Sequence, residues 1–168
     1  MMSRVVRLLI RRPAALRSPA SHLAVSLLGV AGAALLVWSA VIHLMLWADG
    51  YKGIPTIGPL FLAQGVGAIA LGLLVAVLRW LALLVAGAIT LAATAVGLLV
   101  SVHVGLLGYR ESLAVPYATL SLQIEFTGAA VLLAGAVLLA LLPSARAAEP
   151  ARQGTGNPGN PSRASFRI

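Results

Sequence analysis

Residues 59–107 read PLFLAQGVGAIALGLLVAVLRWLALLVAGAITLAATAVGLLVSVHVGLL, and Arg79 is the only Arg, Lys, Asp or Glu among them. One straight helix of that length would run roughly 74 Å at ~1.5 Å per residue. The hydrocarbon core of a bilayer is only about 30 Å thick. A chain this apolar must therefore turn back on itself, and Arg79-Trp80 is where it does so. Arginine reaches toward lipid headgroups while its stem stays in apolar surroundings, and tryptophan favours the interface. The stretch is read as a helical hairpin over residues 59–78 and 82–107. Pro59 suits the first turn of its helix, where a missing N–H leaves nothing unpaired.

The same reading extends in both directions. Upstream, residues 23–47 form an apolar run that Asp49-Gly50 and Lys52-Gly53 interrupt. Downstream, residues 108–116 form a polar loop with Arg110 and Glu111, followed by an apolar run over 117–142 that Pro143 stops. The expected fold is all-α: a four-helix transmembrane bundle with a basic N-terminal arm over 1–22 and a basic tail over 143–168. The tail is rich in Gly, Pro, Asn, Ser and Arg and reads as disordered. The arm, broken by Pro13 and Pro19, reads as flexible, with a short interfacial helix over 5–10 as the alternative. Arg11-Arg12 before an apolar run resembles a twin-arginine signal. The run is too long for a signal-peptide core and no small-residue cleavage site follows, so an uncleaved first span is expected.

Composition agrees. Of 168 residues 60% are hydrophobic and 10% charged, with a mean hydropathy of +1.00; soluble domains carry about 25% charge. The net charge of +8 is not a nucleic-acid footprint, because the arginines flank the apolar runs. Five lie in the arm, one in the hairpin turn and four in the tail, against Lys52 and Arg110 in the two opposite loops. Ten against two places both termini in the cytoplasm, in a plasma-membrane protein. Trp47, Tyr51, Tyr109 and Tyr117 mark the outer interface, and Trp80 with Arg79 the inner one. The absence of cysteine excludes disulfides, thiol catalysis and Cys-ligated metals.

Lipid tails are as apolar as leucine, so such helices associate through close packing of small residues and a few hydrogen bonds. Candidate stripes are Gly29, Gly32, Ser39 and His43 in the first span, Gly65, Ala68 and Gly72 in the second, Thr90, Thr94, Gly97, Ser101 and Gly105 in the third, and Ser121, Glu125, Gly128 and Gly135 in the fourth. Ionisable groups in a span cost about 2.5–3.5 kcal/mol at mid-bilayer. Here His43, His103 and Glu125, with Gln64 and Gln123, all fall about 6–12 Å below the outer boundary. The inner half has nothing comparable. His43 and Glu125 lie on inward stripes, Gln64 beside one, and His103 about 200° round its helix from Ser101.

Several uses of this polar layer stay open. His43, Gln64 and Glu125 lock the bundle by mutual hydrogen bonds; or His43, Gln64, His103 and Glu125 bind a small ligand from the outer face. His43, His103 and Glu125 have the chemistry for a zinc or copper site, paired histidines for haem, and His with Glu for a quinone or lipid head group. A proton relay through Glu125 and His43 in a transporter subunit is the remaining reading. No nucleophile–base constellation, glycine-rich phosphate loop or HExxH occurs, so enzymatic activity has no sequence signature. Residues 49–59 are dense in turn formers and read as a lid over the polar layer.

Residues 38–64, WSAVIHLMLWADGYKGIPTIGPLFLAQ, resemble a segment of small four-span membrane proteins of high-GC actinobacteria. The resemblance covers residues 24–142 and implies architecture alone. The function expected from the sequence is that of a structural or accessory membrane protein that binds partners, whether other membrane proteins or further copies of itself. No cofactor is singled out.

Overall fold

Four helices of this chain are long and apolar enough to cross a membrane. In the computed structural model, which describes residues 4–143, they are α2 (Pro19–Ala48), α3 (Ile57–Leu78), α4 (Leu81–His103) and α5 (Ala118–Leu141), preceded by a short α1 (Arg4–Leu9). Their Leu- and Ala-rich sequences are good helix formers. α2 starts before its apolar run because Ser18 caps it, accepting from the Ser21 amide at 3.5 Å, and Pro19 fills the first turn. Residues 144–168, most of the expected disordered tail, lie outside the described residues.

The hairpin turn falls where the sequence places it. Arg79 ends α3 in the left-handed conformation (φ +48°), and extended Trp80 starts α4. α4 is shorter than expected, ending at His103 instead of 107. Gly105 (φ +92°) leaves the helix, and Leu106 and Tyr109 pair as a tight reversal, with N–H···O distances of 2.7 and 2.9 Å. The apolar side chains of Val104, Leu106 and Leu107 disguise this turn as helix.

α2 packs along both α3 and α5, and α4 packs along α5. The consecutive helices α3 and α4 share a much thinner seam. Small residues allow the close contacts. A Cβ on Gly65 of α3 would lie 2.5 Å from Leu44 of α2, and one on Gly72 would lie 2.9 Å from Val37. Leu132 of α5 is fully buried and seated against two glycines, Gly32 of α2 and Gly87 of α4; Gly87 also faces Leu36. Gly29, Ser39, His43, Ala68, Ser121, Glu125, Gly128 and Gly135 are buried as their stripes require. The α4 stripe is the exception. That helix packs through Leu84, Gly87, Ala88, Leu91 and Ala95, and its Thr90, Thr94 and Gly97 are only partly covered.

The N-terminal arm is docked instead of flexible. Beyond α1, Pro13–Ala15 form a 3-10 turn and Leu16 enters the core. The Arg11 guanidinium donates to the Ala140 carbonyl at 2.9 Å and to that of Leu142, capping the end of α5. The Arg11 carbonyl accepts from the Leu81 amide at 3.0 Å, and the Arg17 amide donates to Pro143 at 3.3 Å. The Arg12 guanidinium stands 5.3 Å from the Trp80 ring. The bundle thus has a terminal end, closed by this arm and the Arg79-Trp80 turn, and a loop end carrying residues 49–56 and 104–117.

Candidate functional site

At the loop end the thin seam between α3 and α4 opens into a cavity of about 600 Å³. Leu60, Phe61 and Gln64 line it from α3, and Thr90, Thr94, Gly97 and Ser101 from α4. His43 of α2 and Ser121 and Glu125 of α5 face it across the bundle. This explains the α4 stripe. Its small and hydroxylated residues keep space open, and a Cβ built on Gly97 meets nothing within 4 Å. Small-ligand sites are commonly several hundred Å³, mostly apolar, with a few placed polar groups.

Glu125 is the centre of the polar groups. It is 0% exposed. Its Oε1 accepts from the Ser121 hydroxyl at 2.8 Å, one helical turn back, and from the Ser39 hydroxyl of α2 at 3.2 Å. Its Oε2 has no partner. The Ser39 carbonyl lies 2.8 Å from His43 Nδ1. A carbonyl only accepts, so Nδ1 donates and Nε2 of the neutral ring is left as an acceptor. Gln64 Nε2 is likewise buried without a partner. Buried polar atoms are nearly always paired; of the four among the described residues that are not, two belong to residues lining this cavity, and the others, Arg11 Nε and Trp80 Nε1, lie at the terminal end. Thr94 is satisfied within its helix by the Thr90 carbonyl at 2.8 Å.

An aromatic wall leads from the loop end into the cavity. Tyr109 meets the Tyr51 ring edge-on at 5.9 Å, Tyr51 stacks on Phe61 at 4.8 Å, and Phe61 lies 5.0 Å from the His43 ring. Glu111 ties the two loops together. It accepts from the Tyr51 hydroxyl at 2.6 Å and from the Tyr109 hydroxyl at 3.4 Å. Its own amide donates to the Ser101 hydroxyl at 3.2 Å. Partial burial, with the Glu111 carboxylate second, pushes the Tyr51 phenol above its ordinary range, so it remains a donor. Gly58 lets the lid sit close, since a Cβ there would come 2.8 Å from the carbonyls of Tyr51 and Lys52.

Of the residues expected at a site, His43, Gln64 and Glu125 line this one cavity. His103 does not join them. It is exposed at the end of α4, where Arg110 donates to its carbonyl at 2.9 Å, and Gln123 is exposed as well. Among the described residues no three His, Cys, Asp or Glu side chains gather as metal ligands, so His43, His103 and Glu125 do not form one set. Tyr51, in the expected lid, and Tyr109, an expected interface marker, also line it, together with Glu111 and Phe61, to which sequence reasoning gave no place at the site. Their types fit loop ends and interfaces, and no spacing announces that two loops meet over the cavity.

No protein-family model, curated protein or solved structure matches the chain.

Proposed function

We propose that the chain is a multi-pass plasma-membrane protein, both termini cytoplasmic, that holds a lipid-soluble small molecule in the cavity between α3 and α4. The observation that carries this is one largely apolar cavity whose lining residues include Gln64 and Glu125, each with a buried side-chain atom, Nε2 and Oε2, that has no partner. A bundle built only for packing or for docking partners has no use for such space. The thin α3–α4 seam faces the surrounding lipid in this topology, which favours a ligand that partitions into the bilayer. The bias of ten basic residues against two supports the orientation, with the cavity in the outer half.

Purified protein in nanodiscs, analysed by native mass spectrometry, is expected to retain or take up one small molecule per chain. Gly97→Leu fills open space and is expected to abolish uptake while leaving the unfolding midpoint unchanged or raised. Uptake unaffected by that substitution places the ligand elsewhere. The chain has no cysteine, so single cysteines at Ser112 and Ser162 report orientation without background. They are expected to label from opposite faces of intact cells, and labelling of both from outside refutes the topology.

A further inference from the structure

We infer that the cavity is built for a lipophilic organic cation, an apolar body whose ammonium-type charge pairs with Glu125. This rests on the cavity reading above and adds the sign of the ligand's charge. The chain holds 12 Arg and Lys against 4 Asp and Glu, yet the cavity inverts that balance. Of the three acidic residues in the described chain, Glu111 and Glu125 line it, while none of the eight described Arg or Lys residues does.

Glu125 is oriented for a partner that the protein omits. Ser39 and Ser121 both donate to Oε1, fixing the carboxyl group with Oε2 unpartnered beneath the lining, which a ligand must part slightly to reach it. Buried without a counter-charge, a carboxyl group is stable as the protonated acid; a bound cation is what makes its carboxylate form favourable, and a neutral ligand does not do so. Anionic ligands meet two carboxyl groups and no Arg or Lys, His43 being the one basic side chain on the lining. Tyr51, Phe61 and Tyr109 also line the cavity, and cations bind aromatic rings with energies that grow on desolvation. Gln64 completes the set, because rotation of its amide places an oxygen where the unpartnered nitrogen lies.

The test uses naphthylmethyl-trimethylammonium and its uncharged tert-butyl isostere, titrated into the full chain in zwitterionic nanodiscs, with empty nanodiscs as blank. The cation is expected to bind once per chain and tenfold or more tighter than the isostere, about 1.4 kcal/mol. Glu125→Gln is expected to lower the cation's affinity to that of the isostere and to leave the isostere's affinity unchanged, a split that unfolding does not produce. Equal binding of both probes to the wild-type protein overturns the inference while the cavity reading stands. Binding of neither probe, with no small molecule retained on purification, sinks the cavity reading and this inference with it. Should Glu125→Gln not fold, the wild-type comparison of the two probes decides alone.

Discussion

Leu132 offers a sharp test of how these helices hold together. It is fully buried between Gly32 of α2 and Gly87 of α4, so it fills two glycine hollows from a third helix. In a soluble protein Leu→Ala costs about 2–5 kcal/mol, a transfer term plus a cavity term. Here the separated helices also sit in lipid or detergent, so the transfer term nearly vanishes and lost contact dominates. Leu132→Ala is therefore expected to cost roughly 2 kcal/mol, the lower end of that range. Gly32→Ala alone drives a methyl into Leu132, and overpacking of this kind costs about 1–3 kcal/mol. The double variant relieves both faults, because the new methyl enters the space that Leu132 vacates. The two single penalties should exceed that of the double variant by about 1–3 kcal/mol in a double-mutant cycle. Reversible unfolding in mixed micelles, followed by circular dichroism, measures the three differences. Additivity within about 0.5 kcal/mol would show that Leu132 does not occupy the Gly32 hollow and would refute the packing scheme.

Other substitutions probe the polar groups. Ser121→Ala and Ser39→Ala each remove a hydroxyl from Glu125 Oε1 and are expected to destabilise by about 1–2 kcal/mol in the same assay. The Ser121 change should be the larger, given 2.8 Å against 3.2 Å, and neutrality of both argues against these contacts. Tyr51→Phe keeps the stack on Phe61 but loses the bond to Glu111, so amide exchange should quicken in both loops; unchanged exchange there dissolves the latch. Because the folded-state value of this phenol is raised, its stabilising effect is complete below the unfolded value of about 10 and is lost as pH climbs above it. The stability gap between wild type and Tyr51→Phe should therefore be flat from pH 7 to 9 and narrow above about 10. Arg11→Gln should cost about 1–3 kcal/mol by orphaning the Ala140 and Leu142 carbonyls. Faster exchange in the last turn of α5 is its signature, and unaltered exchange there means the guanidinium caps nothing.

Much of the fold is legible in the residues themselves. The lone Arg79 beside Trp80 in a long apolar stretch sets the hairpin, because thickness and helix rise leave no other solution. Gly65, Gly72, Gly32 and Gly128 mark buried faces because small residues are what lets apolar helices approach. The inward placement of Glu125, Gln64 and His43 follows from the same spacing. What escaped the sequence depends on contacts between distant segments. Thr90, Thr94, Gly97 and Ser101 look like another packing stripe, since small residues that admit a neighbour and small residues that leave a hollow are spelled alike. The Glu111–Tyr51 latch joins loops that follow different helices, and neither loop carries its partner's address. The docked arm was hidden by its charge, because arginines that set orientation and an arginine that caps a helix end have the same composition.

That docked arm has a consequence for how the chain is put together. Arg11 is made before all four spans, yet the carbonyls it grips, at Ala140 and Leu142, emerge from the ribosome only at the end of the last of them. The segment made ahead of the spans is thus the last to settle. Until α5 arrives, α2 has only α3 as an extensive partner, and the ring stays open along the flank that α5 later fills. Truncation anywhere before residue 140 strands this fastening arginine with nothing to hold.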